Sequence, residues 1–332
     1  MNDAELPPEL AAFVESGTIT SEDVLTMRGE VFKDGVVSAA EAENLFHLNQ
    51  KCVAKDTAWN DFFVEALTDY VVKQAEPEGY VTIENADWLI EHISRDGKVE
   101  TASELELLVN VLDKSRWSPV RLVGFALEQV KQAVVDGNGP IGNGQNLKAG
   151  MVGEAEVDLL RRILYAFGGD ATIAISREEA EILFDINDAT KDSKNHPSWS
   201  DLFVKAIANH VLAGSGYQVP SRQEALRRGE WLDSRESVMD ILSSMMSGGL
   251  KGILDAYRKP ENEDVELMRL EKQRLDILTG EKITTDEALW LTDRIGRDGA
   301  ELDDNETALI KFLKEESPDI DPAFKTLLDK VA

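Results

Sequence analysis

The line SAAEAENLFHLN at 38–49 is written again as SREEAEILFDIN at 176–187, with seven of twelve residues identical and an offset of 138. Two further matches extend it. WNDFFVEALTDYVV (59–72) and WSDLFVKAIANHVL (199–212) share Trp, Asp, Phe, Val, Ala and Val at an offset of 140. TIENADWLIEHISRDG (82–97) matches TTDEALWLTDRIGRDG (284–299) at eight positions, without a gap, at an offset of 202. The matches keep their order. An internal duplication constrains the fold more than any other feature, because whatever packs the first copy must also pack the second. The sequence divides into an N-terminal half at 1–136, a Gly/Asn-rich linker at 137–149 and a C-terminal half at 150–332 that carries an insertion at 216–279.

Each half reads as two modules. Gly17 and Gly35 (GTITSED, GVVSAAE) stand 18 apart, as do Gly79 and Gly97 (GYVTIEN, GKVETASE), and each is followed by a β-branched residue and then Ser or Thr. One helix of about a dozen residues fits between such turns. Its apolar positions in the second module, Ala86, Leu89, Ile90 and Ile93, recur at spacings of three and four, the helical period. A second helix follows, with Leu45, Leu48 and Val53 in one copy and Leu107, Leu108, Val111 and Leu112 in another. A third carries Trp59, Phe62, Phe63, Ala66, Leu67 and Tyr70. Strand patterns are nearly absent. The predicted fold is all-α: tandem duplicated modules of about three helices each, packed as an array or as two bundles. Within the insertion, SVMDILSSMMSGGLKGILDAYRK (237–259) reads as a Met-rich apolar helix, core by its pattern, of a kind that also accepts varied partners.

Charge narrows the function. Lys and Arg number 35 against 63 Asp and Glu, a net charge of −28. Nucleic acid and anionic membranes are recognised through basic surface, so neither is an expected partner. No apolar run approaches the roughly 18 residues that would span a bilayer, and the opening MNDAELPPEL lacks the regions of a signal peptide, which predicts a cytoplasmic protein. The single Cys52 removes an intramolecular disulfide and a thiolate zinc cluster. His47, His92, His196 and His210 form no ligand pair and read as surface or half-buried residues. GNGPIG (137–142) spells a dinucleotide fingerprint, but a helical run precedes it where a strand is required, so it reads as linker. The polar stretch NDATKDSKNHPSW (187–199) reads as a solvated loop. No catalytic constellation emerges.

The turns themselves offer the chemistry. EVFKDGVVSAAE (30–41) has the length of a calcium-binding EF-hand loop, with Gly35 sixth and Glu41 twelfth. It would offer the carboxylates of Glu30, Asp34 and Glu41 and the carbonyl of Val36 to calcium or magnesium. Against it, Phe32 stands third, where an oxygen ligand belongs, and 18 residues between turns hold one helix where paired EF-hands have two. The competing reading is helix punctuation. Ser38 with Glu41, Thr101 with Glu104, Ser176 with Glu179, and Asp303 with Glu306 have the spacing of a capping box, in which the acid satisfies the backbone and not a metal.

DGVVSAAE, DGKVETASE and DGAELDDNE, placed between helices, resemble the tellurite-resistance TerB family and its TerB-like helical domains; a looser resemblance is to degenerate bacterial EF-hand repeat proteins. The TerB resemblance implies all-helical bundles that act as interaction modules in membrane stress or signalling, with metal binding carried at Asp34 and Glu41, Asp96 and Glu104, and Asp298 and Glu306. In the last two pairs the acids stand one residue farther apart than in the first. The expectation is a non-enzymatic helical scaffold that meets a protein partner through the insertion helix or between the halves. Its alternative is a divalent-cation sensor or buffer.

Overall fold

The computed structural model describes residues 7–31, 36–95, 97–137, 149–165, 175–213, 282–297, 301–317 and 319–329. Asp34, Asp96, Asp298, most of the linker and the whole insertion at 216–279 lie outside the described residues. The chain forms two compact units, one comprising Met1–Phe167 and Glu181–Trp199, the other Gly168–Ala180 and Ser200–Ala332. The fold is mostly helical, as expected.

Among the described residues the helices are, in chain order, α1 (Pro8–Ser16), α2 (Ser21–Val31), α3 (Ala39–Lys51), α4 (Thr57–Thr68), α5 (Ile83–Ile93), α6 (Ala102–Lys114), α7 (Val120–Asp136), α8 (Glu154–Tyr165), α9 (Arg177–Thr190), α10 (Pro197–Ala213), α11 (Thr285–Gly296), α12 (Asp304–Glu316) and α13 (Lys325–Leu328), the last entered through a 3-10 turn at Pro322–Phe324. One helix separates successive turns, as the 18-residue spacing requires. α4 continues as a wider π-helical stretch at Asp69–Gln74. In the first unit α4 packs on α2 and α6, and α6 packs on α8. Trp59, Phe62, Phe63, Ala66 and Leu67 of α4 are buried, together with Leu107, Leu108, Val111 and Leu112 of α6. In the second unit Leu291, Ile295, Leu309, Ile310, Leu313 and Phe324 are buried.

The sequence pattern gave no sign of a set of two-residue strands. β1 (Thr18–Ile19) runs parallel to β2 (Ala54–Lys55), and β5 (Lys282–Ile283) runs parallel to β6 (Asp319–Ile320). A single parallel bridge joins Tyr80 to Trp117 in the corresponding place. At 149–165 the same tie is made by the N–H of His196, which donates to the Val152 carbonyl at 2.8 Å. β3 (Ser94–Arg95) and β4 (Lys98–Val99) form a separate antiparallel pair. Strands this short carry no periodic signal of their own. The parallel ties fasten the turn before one helix to the segment that opens the second helix after it, whereas β3 and β4 join the end of α5 to the approach to α6.

A second tie also recurs. The β-branched residue ahead of a helix donates its buried N–H to a side-chain amide oxygen from elsewhere in the chain. Val37 donates to Gln74 Oε1, Val99 to Gln129 Oε1 and Ile175 to Asn209 Oδ1, each at 2.9 Å. Such a group left unpaired inside the protein would cost about 1–3 kcal/mol.

Two sequence expectations are corrected. Val53 does not belong to the apolar face of α3. That helix stops at Lys51 with Cys52 extended as its C-cap, and Val53 lies beyond it, 92% exposed. The stretch 187–199 is not simply a solvated loop: α9 runs on to Thr190, and Asn187 and Thr190 are fully buried. Thr190 Oγ1 donates to the carbonyl of Ile186 at 2.8 Å and accepts from Asn195 at 3.0 Å, so polar residues enter the core with their partners in place.

Candidate functional site

The acidic turns hold the carboxylates that the sequence offers to a cation. In α3 the Glu41 carboxylate accepts the Ser38 N–H at 2.8 Å and the Ser38 hydroxyl at 2.7 Å, while Ser38 Oγ accepts the Glu41 N–H. Thr101 with Glu104 and Asp303 with Glu306 close the same reciprocal box at α6 and α12. Glu179 accepts the Ser176 N–H at 2.6 Å, and Glu156 accepts that of Gly153 at 2.8 Å. Each acid satisfies a donor that a helix start leaves open and sits at the positive end of the helix dipole.

Of the expected cation-binding residues, Glu41, Glu104 and Glu306 are therefore placed as capping groups, and Val36 is half-exposed. The backbone of Glu30 belongs to α2. Among the described residues no group of three or more His, Cys, Asp and Glu side chains is placed to hold a metal ion.

The densest polar chemistry lies elsewhere, around Asn49. This residue, near the C-terminal end of α3, is buried. Its Oδ1 accepts from Lys55 Nζ at 3.0 Å and from the Trp59 indole N–H at 3.1 Å, and its Nδ2 donates to Glu104 Oε1 at 3.3 Å. Lys55 Nζ also donates to the Asn49 carbonyl at 2.6 Å. The amide thus points its oxygen at an ammonium and its N–H groups toward a carboxylate, bridging two charges with its own dipole. Burial holds the Lys55 amine below its ordinary value, opposed by the Glu104 charge. It pushes the Glu104 carboxyl up, opposed by the bonds from Thr101 and Asn49 and by Lys55. The Cys52 thiol is likewise pushed up by burial, against the pull of Lys55.

Beside this cluster opens a shallow cleft of about 370 Å³ lined by Lys55, Asp56, Thr57, Asn60, Asp61 and Ser103, among others. Lys55 and Asp56 are already committed to the fold. Asp56 caps α4 by accepting the Ala58 N–H at 3.0 Å, a bond that lowers its pKa, and Lys55 already donates to both Asn49 oxygens. The arrangement binds α3, α4 and α6 to one another. Asn49 has a readable signal: it is one of the identical polar residues in the repeated line, matched by Asn187, which is also buried.

An aromatic cluster adjoins it. His92 stacks on Trp88 with centroids 4.4 Å apart, and its ring nitrogens lie 2.7 Å from the Trp88 carbonyl oxygen and 2.9 Å from Glu43 Oε1. Tyr70 meets Trp88 edge-on at 5.3 Å. In the second unit His210 meets Trp290 edge-on at 4.9 Å, and the Arg177 guanidinium lies 5.5 Å from the same ring. The repeated sequence matches Tyr70 with His210 and Trp88 with Trp290. Among the described residues no helix is long and apolar enough to cross a membrane. No protein-family model, curated protein or solved structure matches the chain.

Proposed function

We propose that the chain is a non-enzymatic helical scaffold, built from four copies of one three-helix module in two tandem pairs, that presents surface to a protein partner in the cytoplasm. The observation that carries this reading is the use made of the acidic turns. Glu41, Glu104, Glu179 and Glu306 each turn back to the backbone N–H that opens their own helix. Groups committed in this way fix where helices begin. The modular part of the reading is supported by the parallel ties at Ile19, Tyr80 and Ile283, by the recurring amide bonds to Val37, Val99 and Ile175, and by the edge-on contact at matched positions. A charge of −28 favours a basic partner over nucleic acid. The resemblance to TerB-like domains agrees with an interaction role.

Thermal melts test the reading against a cation sensor. A ligand at 100 times its Kd stabilises by about 2.7 kcal/mol, enough to move a melt by several degrees. Curves in EDTA, millimolar calcium and millimolar magnesium are expected to superimpose. A rise selective for calcium, lost on Asp34→Asn with Glu41→Gln, would replace the scaffold with a sensor that binds through Glu30, Asp34, Glu41 and the Val36 carbonyl.

A further inference from the structure

We propose that Tyr80, Ile83, Trp117 and Val120 form a docking surface for a short cationic segment of another protein, one that carries apolar anchors between Lys or Arg residues. The proposal rests on the interaction reading above and gives it a place. Tyr80 and Trp117 stand opposite each other in a parallel bridge, and Ile83 and Val120 open α5 and α7 three residues further on. All four are exposed, at 41, 60, 40 and 48% in the order named, while Val81, Leu122 and Val123 beside them are buried.

The same corner is built three times more; in the two that have a strand pair, the positions equivalent to these four hold no large apolar side chain, although Val53 is exposed beside the first. Thr18 faces Ala54 there, and Lys282 faces Asp319. The helical turns that follow open with Ser21 and Thr57 in one case and with Thr285 and Pro322 in the other. The backbone arrangement does not need two aromatic and two aliphatic side chains facing water, so their presence calls for an occupant.

Size and charge select which one. Four half-exposed side chains amount to on the order of 300–400 Å², the scale of functional patches on single chains. A standard stable interface takes about 800 Å² from each partner. A second copy is further opposed by repulsion between two chains of −28 each. Glu76, Glu78 and Glu84 are exposed beside Tyr80 and Ile83 in the chain. Arg121 is paired with Asp87 at 2.6 Å, and the stem of Arg116 lies over Gly79. Lys114 and Arg116 are also exposed near Trp117 in the chain, so three glutamates stand against two basic groups beside the patch, and the attraction for a cationic segment comes mainly from the charge of the whole chain.

The test uses the full chain and a variant, Tyr80→Thr, Ile83→Ser, Trp117→Ala and Val120→Thr, which installs the residues found at the first corner. Random peptides of about 12 residues displayed on phage are selected on the wild-type protein, and the enriched peptides are measured on both proteins by fluorescence polarisation. Enriched peptides should carry aromatic or aliphatic anchors flanked by Lys or Arg and bind the variant at least about tenfold more weakly. Trp117→Ala alone should show a similar loss, and circular dichroism checks that both variants stay helical. Peptides that bind the variant as tightly as the wild type would overturn this surface and leave the scaffold reading standing. Acidic or uncharged flanks would overturn the stated partner, and no enrichment would sink both readings. A wild-type dimer in sedimentation equilibrium that the variant lacks would replace the peptide with a second copy.

Discussion

Asn49 shows how much one side chain holds. It serves an indole, an ammonium and a carboxylate at once; Trp59 and Glu104 are buried, while Lys55 also borders the open cleft. Truncation removes those bonds and leaves buried partners unpaired, at about 1–3 kcal/mol for each group, with incomplete additivity. Asn49→Ala is expected to lower unfolding stability by about 3 kcal/mol in urea titrations. A loss under about 1 kcal/mol would mean that the cluster relaxes into solvent. Glu104 adds a pH signature. Its folded pKa is raised by burial above the ordinary 4.5, so the folded state holds a proton that the unfolded state releases. Stability from this group is present below pH 4.5 and is lost as pH climbs through the raised value. The stability difference between Glu104→Gln and the wild type should move in the variant's favour between about pH 4 and pH 7. A difference independent of pH would count against the rise of the Glu104 pKa by burial.

Helix starts and their ties belong to the scale of elements. Removing the cap with Ser38→Ala takes away the hydroxyl arm of the box at α3, leaves Glu41 its bond from the backbone N–H of residue 38, and should cost about 1 kcal/mol. The amide ties are invisible to propensity, yet they join elements distant in sequence: Gln129 on α7 holds the Val99 N–H and donates to the Gly97 carbonyl at 3.1 Å. Gln129→Leu keeps the bulk and removes the polar atoms, leaving the buried Val99 N–H without this acceptor. A loss of about 2 kcal/mol is expected, larger than that for Ser38→Ala, which frees only the exposed Glu41 N–H. Urea titration of both variants checks the order. If Ser38→Ala proved the costlier, capping and not the amide tie would be the stronger fastening.

Across the whole molecule, net charge acts on every element at once. A chain at −28 repels itself in the compact state, and that repulsion is screened as the Debye length falls from about 30 Å at 0.01 M salt to about 8 Å at 0.15 M. The melting temperature is expected to rise by several degrees when sodium chloride goes from about 0.01 to about 0.3 M. Exposed pairs such as Arg121–Asp87 and Lys205–Asp201 weaken over the same range, but pairs of this kind contribute about 0–1 kcal/mol each. A melting temperature that fell with salt would mean that attraction between opposite charges outweighs repulsion between like ones. Differential scanning calorimetry at several salt concentrations reads the sign.

What the sequence determined by itself was local. Periods of three and four placed the helices, Gly with a following Ser, Thr or Asp marked where they begin, and the acid three residues later was readable as a capping group because its partner lies within the same turn. The burial of Trp59, Phe62 and Phe63 was legible for the same reason: they share one face of one helix. Tertiary structure alone decided the rest. The parallel ties span more than thirty residues, from Thr18 to Ala54 and from Tyr80 to Trp117, and strands of two residues have no period to read. The polar cluster joins Asn49 to Glu104 across 55 residues. Val53 reads as apolar core by composition, and only the end of α3 at Lys51 puts it in water. Hydrogen bonds within a turn depend on neighbours that the sequence supplies in order, whereas a buried amide or an exposed Trp depends on which distant segment the fold brings beside it.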